Sequence, residues 1–434
     1  MATLANDSPT TATASVAPRP RSAVSTGVGL AGLAGLFAWF AVARHFGMAG
    51  PLAAYVNVAA CAVPMVLWSV FVDKVHRNPT TGIDWDRPLP PLSETLDISL
   101  AKLAGLWTTW AIIAAIYAIG RFYWAGSYTQ AMQCFIVAAP FLFVLSPVYV
   151  IALDRRLKHP RDGAWALGRW LMGGGAADRH AIADHFRSWA VKAFFLAFML
   201  SIVPGGFAEV VTRPLAEVVM GPVELANYLI SFMFMIDVAL ATVGYILTMK
   251  PLDAHIRSAT PYAEGWVAAL ICYPPFILMG DGGPLNYRIG NFGENSWSYW
   301  LDGNAPLLWL WGAALVALTA IYAWATVAFG LRFSNLTHRG ILTHGPYAWT
   351  KHPAYWSKNA FWWISTLPFL TTTGSMTDAV RNTAILALVS AIYAWRAWTE
   401  EKHLGNDPDY RGYVAWIATH GPFARLHRRA IGGR

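Results

Sequence analysis

The chain has 434 residues, of which 56% are hydrophobic and only 13% charged. That is too apolar for a soluble globular domain, and apolar runs of about 20 residues, the length that crosses a bilayer as a helix, recur along it. The formal net charge of +8 does not point to nucleic acid, because the basic residues flank apolar runs instead of forming a solvated basic face.

Residues 1–25, rich in Ala, Thr, Ser and Pro, read as a disordered N-terminal tail. Beyond them the expected fold is all-α: a polytopic integral membrane protein with about ten transmembrane helices. The expected spans are 27–45, 51–72, 100–120, 130–152, 190–207, 223–248, 263–280, 306–330, 359–374 and 379–397. The fifth and ninth contain Pro204 and Pro368 and are short for a core ~30 Å thick, so tilted, kinked or partial spans are expected there. Apart from Arg44, Arg121, Lys192, Arg213, Arg288 and Arg381, the 32 Lys and Arg lie in the tail, in or beside alternate connections and near the C-terminus. Positive charge marks the cytoplasmic face, so both termini are expected there.

Other features are weaker. The 22 Trp and 17 Tyr suit side chains at membrane interfaces. Cys61, Cys134 and Cys272 lie in apolar runs at unrelated spacings and read as packing residues. Asp237 sits mid-run, where a carboxylate is costly; it reads either as a substrate-contacting group or as a carboxyl bonded to a neighbouring helix. The segment 281–304 reads as an ordered cap on the far side. His180 and His185 are five apart and share no helical face, so no metal site is expected there.

The chemistry concentrates in 342–359, LTHGPYAWTKHPAYWSKN, and in 395–404, WRAWTEEKHL. Gly345 and Pro346 break the chain, and Pro353 holds Lys351 and His352 extended or turned. Backbone groups freed by the break need partners or a polar ligand. Tyr347, Trp349, His352, Tyr355 and Trp356 offer ring faces and polar tips suited to an adenine ring or a sulfonium cation. Arg396, Glu400 and His403, at i, i+4 and i+7, share one helical face. Glu400 and Glu401 suit a ribose diol or an α-ammonium group. The plainer alternative is a surface Arg396–Glu400 ion pair beside an ordinary interfacial turn.

The region 333–426 resembles the superfamily of integral-membrane isoprenylcysteine carboxyl methyltransferases and phospholipid methyltransferases. The resemblance rests on Gly345-Pro346-Tyr347, Lys351-His352-Pro353 and Tyr355, within THRGILTHGPYAWTKHPAY, and on Glu400-Glu401, Leu404, Tyr410 and Tyr413 nearer the C-terminus. Lys351 stands where Arg is usual, Ser357 where Gly is common, and Asn406-Asp407 where Phe-Gly is typical. The resemblance implies S-adenosylmethionine as cofactor, bound by Gly345, Pro346, Tyr347, Lys351, His352, Pro353, Tyr355, Glu400, Glu401 and Leu404. It implies a methyl transfer to a carboxylate, amine or other nucleophile on a lipophilic small molecule or lipid, which arrives laterally from the membrane. Arg396 is the expected catalytic residue, orienting an anionic acceptor or the donor's carboxylate, with Asp237 and Asn359 as candidate substrate contacts. Residues 306–434 would form this methyltransferase-like part, and 26–305, about seven spans, a bundle enlarging the acceptor chamber. Two other classes stay open. Membrane NADPH-dependent reductases of the sterol type share a basic-x-Pro-x-Tyr turn, and a transporter is compatible with many spans and Asp237.

Overall fold

A computed structural model describes residues 19–290, 296–422 and 424. The apolar runs form α1 (Thr26–His45), α2 (Pro51–Leu67), α3 (Leu92–Ile119), α4 (Tyr128–Asp154), α5 (Gly163–Leu171), α6 (Arg179–Thr212), α7 (Leu215–Val218) and α8 (Pro222–Ile246). Then come α9 (Ala263–Leu270), α10 (Ser296–Trp300), α11 (Ala305–Phe329), α12 (Pro353–Thr366), α13 (Met376–Leu404) and α14 (Pro408–His420). Among the described residues the one sheet pairs β1 (Ser258–Ala259) with β2 (Thr337–His338), antiparallel.

Seven helices are long and apolar enough to cross a membrane: α1, α2 continued to Val72, α3, α4, α6, α8, and α11 continued to Arg332. The other expected spans take a different form. In 263–280 the helix stops at Leu270, ahead of Pro274 and Pro275, neither of which has an N–H to donate. In place of 359–374, α12 starts at Pro353 and ends at Thr366, a rise of about 21 Å against a core of ~30 Å. The stretch 379–397 lies within α13, whose apolar run is interrupted by Arg381 and Arg396. The short span expected at 190–207 is the inner part of the 34-residue α6. Asp178 caps that helix by accepting from the Ala181 N–H at 3.0 Å, and Pro204 is absorbed within it.

The basic connections converge on one end of the bundle. There Lys158 N donates to Gly82 O (2.9 Å), Asn78 bonds Asp253 (2.9 Å), and Ser258 meets His403 (3.0 Å). At the other end Arg44 donates to the Arg213 carbonyl (2.6 Å) and Arg381 to that of Asn286 (3.0 Å). The charge asymmetry of the sequence is thus a spatial one.

Residues 1–18 of the expected tail and 291–295 of the expected cap lie outside the described residues. Residues 19–25 lie against the C-terminal loop: Ala23 N donates to Ile341 O (2.9 Å), Thr343 Oγ1 to Pro20 O (2.8 Å), and Arg19 covers the Trp416 ring. Gly340 permits this approach. It has φ +111°, and a Cβ there would lie 2.6 Å from that of Ala23. The largest buried cluster joins Leu36, Met65, Phe207 and Leu240 to Val327 and Tyr347. The C-terminal region therefore shares its core with the N-terminal helices.

Two buried charges lock the end where the loops meet. Asp253, 2% exposed, accepts from Asn78, from Thr80 Oγ1 (2.8 Å) and from Arg332 Nη2 (2.8 Å). Arg339 donates to the carbonyls of Gly244, Leu247, Ala254, Leu331 and Phe333. It thereby satisfies the C-terminal turn of α8, whose last carbonyls have no partner within the helix.

Candidate functional site

The loop between β2 and α12 is shaped by its glycine and prolines. Gly345 has φ +57°, a left-handed conformation that costs glycine little. It opens the turn Gly345–Ala348 with Pro346 buried behind it. Tyr347 is buried with its ring edge-on to Phe329 at 5.4 Å, and its carbonyl accepts from Tyr413 Oη at 2.7 Å. Pro353 occupies the first position of α12, where its missing N–H is not needed. Lys351 and His352 are held between these two anchors, and Tyr355 lies within the first turn of α12.

α13 brings the second cluster to the same place. Tyr393, Arg396, Glu400 and His403, spaced three and four apart, all line one cavity of about 180 Å³ together with His352 and Tyr355. Lys351 Nζ lies 2.7 Å from Glu401 and His352 Nε2 2.8 Å from it. His352 Nδ1 is 3.8 Å from Glu400, and Tyr355 Oη donates to Glu400. The His352 and Tyr355 rings stack at 5.7 Å with 2° between their planes. Residues separated by some 50 positions in the chain thus form one polar clamp at the cavity wall.

The remaining expected site residues divide clearly. Leu404 lines the cavity and packs near Tyr410 and Tyr413. Gly345, Pro346, Pro353 and Glu401 shape or brace the loop without facing the cavity. Asn359 donates to the Tyr355 carbonyl (2.8 Å), so it too lies behind the wall. Asp237 accepts from Thr326, which does line the cavity. Arg396 is 3% exposed and forms no ion pair with Glu400 within 4.0 Å. The reading of a surface i, i+4 pair is therefore overturned, because Tyr355 takes the Glu400 carboxylate and burial removes Arg396 from the surface.

The sequence reading missed much of the inner wall. Tyr273, Tyr322 and Asn335 come from chain segments before the first motif, and Tyr393 and Lys358 come from the helices already singled out. Tyr393 falls three before Arg396 and Lys358 three after Tyr355, so helical spacing would have found both. Nothing local marks Tyr273, which reaches the cavity only because the chain breaks after α9.

Two titrating groups here give the site a definite acid response. The hydrogen bond from His352 holds Glu401 down at about 2, helped by Lys351. Burial pushes His403 down to about 4, with the neighbouring His338 adding to it. Both groups bind protons more readily unfolded, so their stabilisation is full above about 6.5 and declines as pH falls toward 4 for His403 and 2 for Glu401. Melting temperature followed by tryptophan fluorescence is expected to fall from pH 7 to pH 4. His403→Gln is expected to flatten the upper part of that curve, and a wild-type curve with no slope there would contradict the assignment.

No known protein family, curated protein or solved structure matches this chain.

Proposed function

We propose that this chain is an integral-membrane methyltransferase that uses S-adenosylmethionine and acts on a lipophilic acceptor, with α12 and α13 completing its membrane part and the site facing the cytoplasm. The observation that carries this reading is the junction of the His-Pro loop with the paired glutamates on a cavity wall. Gathering of the basic loops at the same end supports the cytoplasmic orientation. Tyr410 Oη, in the cavity wall, and the buried Arg396 Nε have no partner among the described residues, so a polar ligand would satisfy groups that are costly to leave unpaired.

When bound, the donor supplies an electrophilic methyl on a sulfonium. Glu400 is placed to accept hydrogen bonds from the donor's hydroxyl or ammonium groups, and His352 stacked on Tyr355 walls the same side. Arg396 orients the anionic end of a reactant. The rest of the rate comes from alignment and exclusion of water. The cavity, about 180 Å³, is below the ~300–1,000 Å³ of ordinary small-molecule sites. Binding is therefore expected to move the Lys351–Glu401 pair outward, since each partner is already about a third exposed.

Calorimetric titration of the detergent-solubilised protein with S-adenosylhomocysteine, with NADPH in parallel, tests the reading. Saturable binding of the first alone is expected. Binding of NADPH alone would move the protein to the reductase class, and Arg332 and Arg339 count against that outcome. Both line the cavity, but they are committed to Asp253 and to backbone carbonyls.

A further inference from the structure

Two cations at the cavity, the buried Arg396 and the partly buried Lys358, make no ion pair among the described residues. Arg396 Nη2 reaches Asn335 Oδ1 at 3.3 Å and its Nε is unpaired. Its guanidinium carbon lies 5.6, 5.1 and 5.2 Å from the ring centres of Tyr273, Tyr355 and Tyr393. Lys358, three residues past Tyr355 on α12, has its Nζ 5.2 Å from the Tyr322 ring centre and 5.9 Å from that of Tyr393. Among the described residues neither cation makes an ion pair within 4.0 Å. The other cations lining the cavity are taken: Lys351 by Glu401, Arg332 by Asp253, and Arg339 by carbonyls. Of the nearby acids, Glu400 holds Tyr355 and Asp237 holds Thr326. Asp237 acts on Lys358 only through space.

Ring-face attraction offsets only part of what taking a cation out of water costs. The balance is unfavourable for the buried Arg396, and less so for the partly buried Lys358, until an anion reaches them. We propose that Lys358 and Arg396 form an anion-recognising end of this cavity, and that the acceptor carries an anionic nucleophile, a carboxylate on an apolar body, and not an amine. The term acceptor rests on the methyltransferase reading; the anion site does not. An anionic nucleophile arrives already deprotonated. Its lone pair forms the new bond to the methyl carbon as the carbon–sulfur pair returns to sulfur, so both charges vanish and no base is required. That fits a cavity whose carboxylates are already engaged. The neutral product no longer attracts the two cations, which favours its release.

Octanoate, octylamine and octan-1-ol, titrated calorimetrically into the solubilised full-length chain, test the proposal. Octanoate is expected to bind about tenfold or more tighter than either neighbour, from a charge-assisted contact. Lys358→Met is expected to remove that preference, and Lys358→Arg to keep it, while S-adenosylhomocysteine affinity is unchanged in both. Equal binding of octanoate and octanol to the wild type, or a preference that persists in Lys358→Met, overturns the proposal. So does loss of S-adenosylhomocysteine binding in Lys358→Met with octanoate preference intact, because the donor's own carboxylate would then be the occupant. Octanoate preference in a protein that binds no S-adenosylhomocysteine would overturn the methyltransferase reading alone.

Discussion

Replacing Asp253 with alanine is expected to destabilise the protein by about 3–5 kcal/mol, because it leaves the Arg332 guanidinium buried without its counter-charge. Arg332 is 5% exposed, and its Nη1 is already committed to the Arg339 carbonyl at 2.7 Å. The loss would spread along the chain. Asn78 and Thr80 hold the connection after α2 through the same carboxylate, and Arg339 ties α8 to the loop after α11. Asp253→Asn keeps the volume and part of the hydrogen bonding, so it is expected to fall between wild type and alanine. Melting temperature and the monodisperse fraction after solubilisation read the effect. An alanine variant as stable as wild type would show that the network is solvated and dispensable.

Replacing Glu400 with alanine is expected to weaken S-adenosylhomocysteine binding about 10- to 150-fold, the range for removing a hydrogen bond to a charged group. The same change frees Tyr355 Oη, which now donates to Glu400. Stability is expected to change little, because Glu401 and not Glu400 carries the clamp to Lys351 and His352. Glu401→Ala is the contrast: it releases the loop, and is expected to lower the melting temperature as well as the affinity. If Glu400→Ala binds the ligand as tightly as wild type, the carboxylate belongs to the scaffold and the donor site lies elsewhere.

Much of the helical scaffold was legible because long apolar runs leave few alternatives to helix in a membrane, where every backbone group must be satisfied within the segment. The limits of α1, α4, α8 and α11 match their runs closely. The face of α13 was legible too, since Arg396, Glu400 and His403 obey helical spacing. The polar first third of α6 was missed, because its continuation beyond the apolar run depends on a cap at Asp178 and not on hydropathy. The break after Leu270 was missed for the opposite reason: its residues are apolar, but Pro274 and Pro275 withdraw the backbone donors a helix needs.

By itself, then, the sequence determined the membrane-spanning character, the asymmetry of charge, and the two polar clusters that meet at one cavity. These come from local composition and from the fixed geometry of the helix. Only the tertiary structure decided which carboxylate meets which cation. It gave Lys351 and His352 to Glu401, Tyr355 to Glu400 and Arg332 to Asp253, and among the described residues it left Lys358 and Arg396 without an ion pair. Such pairings depend on side chains converging from distant segments, and the cost of burying a charge is set by that convergence and by nothing local.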